Sequence, residues 1–174
     1  MEFKRLRIKG PAIVVAFDMC SSSTVIEELT KNCDVRRFTD FITEMKRYLA
    51  TAQSHILFDP YKFTGDGWIL LFPSDTRGTA LLRFLVDLCR YFSRTFENTV
   101  VRYLSDRPAL IGLTFGIEKG DVIPLKMFSQ PEYVGRAINV ACRLQTAVKD
   151  RGRPPVYDAL VTNRVIFPLL VEYA

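Results

Sequence analysis

The run Ala-Ile-Val-Val-Ala-Phe-Asp at residues 12–18 constrains the fold more than any other stretch of this chain. Its apolar residues are β-branched in the middle and do not alternate with polar ones, which is the pattern of a central strand buried on both faces. The acid that closes the run, Asp18, therefore stands at the end of a buried strand. A second run, Tyr-Lys-Phe-Thr-Gly-Asp-Gly-Trp-Ile-Leu-Leu-Phe at 61–72, sets a Gly65-Asp66-Gly67 turn ahead of large apolar residues. His55–Asp59 and Gly67–Pro73 read as two antiparallel strands joined across that turn.

Between and after these strands the period changes to helical. A helix starting near Ser23 or Thr24 places Glu27 and Glu28 in its first turn, at the positive end of the helix dipole. Phe38, Phe41, Ile42, Met45 and Leu49 mark a longer helix. From Thr76 to about Phe96, Leu81, Leu82, Phe84, Leu85, Leu88, Tyr91 and Phe92 describe a third, laid on one face of the sheet. Residues 109–125 read as a second hairpin with its tip at Glu118-Lys119-Gly120-Asp121. Residues 135–148 read as a helix with Ile138, Ala141, Leu144 and Val148 on its inner face. A last strand at 156–161 and a short helix close the chain. Hairpins mixed with segregated helices predict an α+β fold of the ferredoxin-like kind, a mixed and mostly antiparallel sheet with helices packed on it.

Composition narrows the function classes. With 174 residues, 48% hydrophobic and 25% charged, the chain suits one domain, 1–174, with a real core. No stretch reaches the roughly 18 unbroken apolar residues of a membrane span, and the N-terminus lacks a cleavage signal, so the expectation is a cytoplasmic protein with no membrane partner. The four cysteines form no CxxC pair, which points away from zinc and from a disulfide framework. A net charge of +5, from 24 Lys+Arg against 19 Asp+Glu, is that of a solvated surface, and no nucleic-acid partner is expected. An RNA-binding ferredoxin-like module would need exposed strand aromatics, for which Phe63 and Trp68 are the candidates.

Pairing the first strand with the hairpin brings Asp18 and Asp66 to one rim. Two hard oxygen ligands side by side suit Mg²⁺, which takes one or two carboxylates and leaves positions for substrate phosphates. The plain alternative is an ordinary Asp-Gly turn. Asn139 and Arg143, four apart on a helix, share a face and are able to touch one ligand, and the planar guanidinium of Arg143 suits phosphate oxygens.

The segments Phe-Asp-Met-Cys-Ser-Ser-Ser (17–23), Lys-Phe-Thr-Gly-Asp-Gly (62–67) and Tyr-Val-Gly-Arg-Ala-Ile-Asn-Val-Ala-Cys-Arg-Leu-Gln (133–145), in this order and spacing, resemble the catalytic domain of class III nucleotidyl cyclases. The likeness spans Ala12 to about Leu170. It implies a class III cyclase fold and two metal ions, Mg²⁺ or Mn²⁺, at Asp18, Met19 and Asp66. It also implies that Asn139 holds the ribose, that Arg143 stabilises the pentavalent phosphorus, and that Lys62 and Glu132 read the base. Lys-Glu is an adenylate-like pair with a longer acid. Tyr61, beside Lys62, is a bulky residue able to shorten the pocket. The family works as a head-to-tail homodimer, with metals held by one chain and Lys, Glu, Asn and Arg supplied by the other.

Departures matter as well. Cys20-Ser21-Ser22-Ser23 replaces the usual Gly-Phe-Thr, and the lysine that grips phosphate near the family's C-terminus has no counterpart here: either a trimmed C-terminal segment carried it, or another basic residue near the site, such as Lys126 or Arg136, reaches the triphosphate. With no sensor segment, the chain resembles the stand-alone pyrimidine cyclases of Pycsar antiphage systems, which make cyclic CMP or cyclic UMP from CTP or UTP as antiviral messengers. A stand-alone adenylate cyclase is the alternative, and a nucleotide-binding homologue without turnover is a further one.

Overall fold

The computed structural model describes residues 3–127, 130–149 and 157–161. Its sheet has six strands in the order β2-β3-β1-β4-β5, with β6 pairing β4. The strands are β1 (Gly10–Met19), β2 (Asp59–Phe63), β3 (Trp68–Pro73), β4 (Leu113–Met127), β5 (Gln130–Val134) and β6 (Tyr157–Val161). Every pairing is antiparallel except β4 with β6. The helices are α1 (Ser22–Lys31), α2 (Arg36–Ala52), α3 (Gly78–Thr99) and α4 (Arg136–Lys149), with one 3₁₀ turn at Val101–Tyr103.

The run at 12–18 is the central strand its composition predicts. β1 lies between β3 and β4, and Ala12 to Phe17 are all buried. Its odd residues Ile13, Val15, Phe17 and Met19 join Phe41, Met45, Leu88, Phe92 and others in a core under α1, α2 and α3. Its even residues Ala12, Val14 and Ala16 join Tyr61, Val122, Tyr133, Ile138 and Ala141 under α4. Two apolar layers on one strand explain the unbroken hydrophobic run.

Several boundaries differ from the sequence reading. α1 begins at Ser22, so Glu27 and Glu28 lie past its first turn, beyond reach of the N-terminal dipole. β2 begins at Asp59 rather than His55, and Leu57 before it is exposed. Leu82 faces out of α3, although the rest of its predicted stripe is inward. On α4, Leu144 is half-buried and Gln145 takes an inward position.

The largest correction concerns Glu118-Lys119-Gly120-Asp121. These residues are no hairpin tip; they continue one 15-residue strand, β4, and pair with residues 11–14 of β1. Long-range pairing overrides their turn-like composition. The hairpin partner is β5, which pairs with residues 123–127. The expected short C-terminal helix lies outside the described residues. Among the described residues no helix is long and apolar enough to cross a membrane.

Candidate active site

The Gly65-Asp66 turn is seated on the end of β1. Gly65, at φ +110, occupies the first central position, where primed hairpin turns favour glycine, and Thr64 N–H donates to the Gly67 carbonyl at 3.0 Å. Phe17 pairs with Trp68, so Gly67 comes directly against β1. A Cβ on Gly67 would lie 1.9 Å from the Phe17 carbonyl oxygen and 2.8 Å from Asp18 Cα. Only glycine permits this approach. It carries Asp66 to the rim at which Asp18 ends its strand, with Asp66 half-buried and Oδ1 of Asp18 shut off from solvent.

The donor chemistry there fits hard divalent cations: two carboxylates, plus main-chain carbonyls. Met19, the third member of the implied metal set, is fully buried in the core beneath α1–α3. Its thioether is a soft ligand, so its carbonyl alone has suitable chemistry. Among the described residues no group of three or more His, Cys, Asp or Glu assembles a metal cluster.

The segment that departs from the family pattern bends sharply after this rim. Ser21 adopts a left-handed backbone, φ 59, and donates its hydroxyl to the Leu110 carbonyl at 2.8 Å, while Cys20 N–H donates to Gly112 at 2.9 Å. A non-glycine residue in this region is strained, and both hydrogen bonds hold it there.

α4 presses against β4 and β1 on the other side of Asp18. At Gly116 a Cβ would lie 1.9 Å from the Ala141 carbonyl, so the helix backbone touches the strand backbone. Ala137, Ile138, Ala141, Gln145 and Val148 are the buried side of α4. Gln145 Nε2 donates to Thr114 Oγ1 at 2.8 Å, and Thr114 Oγ1 reaches the Asp18 carbonyl at 3.4 Å. Asn139 and Arg143 are exposed and lie on the opposite side of the helix. Within one chain they face away from the sheet that bears Asp18.

Lys62 is exposed, and the preceding residue, Tyr61, is buried against Tyr133, ring centroids 5.2 Å apart and edge-on. A register shift between Pro60 and Lys62 turns Pro60 and Tyr61 both inward. The Tyr61 hydroxyl donates to Glu132 Oε2 at 2.7 Å, tying the strand of Lys62 to the strand of Glu132. Burial and then the Glu132 bond push the Tyr61 pKa up to about 12, so the phenol keeps its proton for that contact. The sequence marked Tyr61 and Glu132 but gave no sign of this bond.

Of the two candidate substitutes for a phosphate-gripping lysine, Arg136 opens α4, exposed, with Nη1 3.9 Å from the buried Glu118 carboxylate. Lys126 lines a cavity of about 360 Å³ with Arg5, Arg7, Asp59 and Tyr133. A cavity of about 760 Å³ between α2 and α3 contains none of the candidate residues. Phe63 and Trp68 are cross-strand partners with centroids 4.7 Å apart; Trp68 is buried and Phe63 half-exposed over it.

No protein-family model matches the sequence, and no curated protein does either. Solved structures do match. An adenylyl cyclase from P. aeruginosa superimposes with a TM-score of 0.71 at 15% identity, over 95% of this chain and 84% of that one. The fold is that of a class III nucleotidyl cyclase domain. A guanylyl cyclase shares this cyclase fold at TM-score 0.66 and 16% identity, over 93% of this chain and 81% of its own. A bacterial light-regulated adenylyl cyclase matches at TM-score 0.67 and 20% identity, over 95% of this chain. The present cyclase fold spans only 47% of that light-regulated protein.

Proposed function

We propose that this chain is a nucleotidyl cyclase that converts a ribonucleoside triphosphate, CTP or UTP by preference, to the 3′,5′-cyclic monophosphate and pyrophosphate. The observation that carries the reading is the seating of Gly67 against Asp18, which sets two carboxylates on one rim of a class III cyclase fold.

Asp18, Asp66 and the Met19 carbonyl would hold the divalent ions, Mg²⁺ or Mn²⁺. The chemistry such ions supply when bound is a lowered pKa at the ribose 3′-hydroxyl and neutralisation of the triphosphate, for in-line attack on the α-phosphorus. Asn139 orients the ribose. Arg143 meets the charge that grows on the phosphorus oxygens, an interaction strongest in the transition state. Because Asn139 and Arg143 face away from their own Asp18, a homodimer in which each site takes carboxylates from one protomer and the α4 face from the other accounts for both halves.

Lys62 as donor and Glu132 as acceptor suit a ring acceptor beside an exocyclic amine, the edge shown by adenine and by cytosine. Uracil meets them in a shifted register, and guanine fits poorly. The choice between purine and pyrimidine then falls to volume. Tyr61, packed on Tyr133 and bonded to Glu132, fills space beside the base-reading acid, which supports the smaller ring; the antiviral messenger role we propose rests on the resemblance to Pycsar cyclases alone.

The experiment is competition among equal concentrations of the four ribonucleoside triphosphates with Mg²⁺ or Mn²⁺, with products identified by mass spectrometry. Cyclic CMP or cyclic UMP is expected to dominate. Mainly cyclic AMP would replace the pyrimidine assignment with the adenylate cyclase reading, which the same Lys-Glu edge favours. No cyclic product from any of the four would leave a nucleotide-binding homologue.

A further inference from the structure

Residues 3–9 form no helix or strand, yet they cross the molecule from α2 to β5 and touch the neighbours of both base-reading residues. At one end, Gln53 on the last turn of the α2 region pairs with the backbone of Lys4, accepting from its N–H at 3.0 Å and donating to its carbonyl at 2.7 Å. Next, Arg5 Nη1 lies 3.3 Å from Asp59 Oδ1 and donates to the carbonyls of Pro60 and Tyr61, each at 3.0 Å. These carbonyls sit where the β2–β3 register shifts. A bulge leaves main-chain groups without their ladder partners, and the Arg5 guanidinium serves them. Farther along, the Tyr133 hydroxyl accepts from Ile8 N–H and donates to the Leu6 carbonyl, both at 3.1 Å.

Lys62 directly follows Tyr61, and Glu132 directly precedes Tyr133. The segment thus grips the chain beside each member of the pair, and the Tyr61–Glu132 bond closes the circuit between them. Asp59 anchors the arrangement. It is 1% exposed, and burial holds its carboxyl above the ordinary range, with Arg5 pulling it back.

We infer that Arg5 and Tyr133 are positioning residues for base selection: the N-terminal segment fixes the bulge that turns Tyr61 inward and Lys62 outward, and with it the Lys62–Glu132 geometry that chooses the base. The inference rests on the cyclase reading above and assigns its selectivity to residues that touch no substrate. Supporting hydrogen bonds of this kind act through orientation, so their loss blurs discrimination before it stops chemistry.

The test is steady-state kinetics of the full chain on all four ribonucleoside triphosphates for Arg5→Met, Arg5→Lys and Tyr133→Phe. For the preferred triphosphate, Arg5→Met and Tyr133→Phe raise KM about tenfold, the scale on which outer supporting contacts act elsewhere, with kcat nearly unchanged. The kcat/KM ratio of preferred to next-best base falls by a similar factor. Arg5→Lys recovers part of it. Val100→Ala, which opens the core layer that excludes Tyr61 and Tyr133, lowers the melting temperature without moving the ratio. Tyr133→Phe keeps the ring and its packing, so it reports even where Arg5→Met, which strips Asp59 of its cation, fails to fold. An unchanged base ratio in folded variants overturns the inference and leaves the cyclase reading standing, as does a Val100→Ala shift of equal size. A wild-type chain that cyclises none of the four overturns both.

Discussion

Gln145 and Thr114 form a buried polar pair between α4 and β4: the amide donates to the hydroxyl at 2.8 Å, with Gln145 8% exposed and Thr114 fully buried. The hydroxyl in turn reaches the main chain of Asp18 at 3.4 Å. Both side chains are buried, so the Gln145 amide relies on the Thr114 hydroxyl as its acceptor.

Thr114→Val strands the Gln145 amide and is expected to cost about 1–3 kcal/mol, the range for an unsatisfied buried polar group. Replacing both residues, as Thr114→Val with Gln145→Leu, costs less than the two single losses added. Urea denaturation of the four forms measures the cycle. Additive losses would show that the bond does not couple helix to strand.

Gly67→Ala pushes a methyl into the Phe17 carbonyl, where the Cβ position lies 1.9 Å away. The turn must lift off β1. Expected are a stability loss of about 1–3 kcal/mol, as for overpacking, and loss of cyclase activity through displacement of Asp66. Asp66→Ala, by contrast, removes the carboxylate and leaves the turn seated, so activity goes while the melting temperature stays near wild type. A Gly67→Ala chain as active as wild type would separate the turn's position from catalysis.

The outward aspect of Asn139 and Arg143 makes a statement about subunits. In the proposed dimer, inactive Asp66→Ala mixed with inactive Arg143→Ala generates heterodimers in which one site carries both defects and the other carries none. Partial activity should return as subunits exchange. A mixture that exchanges and stays dead would place each site within one chain.

Tyr61 gives a pH signature. Its pKa rises from 10.0 to about 12, first through burial and then through the bond to Glu132. The folded phenol holds its proton more tightly than the unfolded one, so the stabilisation is complete below pH 10 and is lost as pH rises through about 12. Subtracting the stability-against-pH curve of Tyr61→Phe from that of wild type isolates this loss from the similarly raised Tyr48. A flat difference across the alkaline range would show that the phenol is not held in its neutral form.

Sequence patterning exposed the parts of this molecule that obey a local period. The β1 run, the stripes of α2 and α3, and the i, i+4 spacing of Asn139 and Arg143 all carry their own repeat. Those pieces predict an α+β fold of the ferredoxin-like kind; the class III expectation comes from the resemblance of residues 17–23, 62–67 and 133–145 to that family. β4 did not read correctly because Glu118-Lys119-Gly120-Asp121 has turn chemistry, and the reason it runs straight is tertiary: Gly120 sits under Ala137 of α4, and Glu118 is buried near Arg136. Residues 3–9 have no periodicity at all, and their contacts with Asp59, Pro60, Tyr61 and Tyr133 span more than fifty positions of sequence. The left-handed Ser21 was equally invisible, since serine does not announce a positive φ.

The two sides of α4 have a consequence for how such a protein is able to change. In the proposed dimer, the inward side of the helix braces the strand that ends in Asp18, and so serves one reaction centre, while the outward side lends Asn139 and Arg143 to the other. Because both protomers carry the same helix, an inherited substitution on the inward side alters the carboxylate half of both centres, and one on the outward side alters the Asn139 and Arg143 half of both.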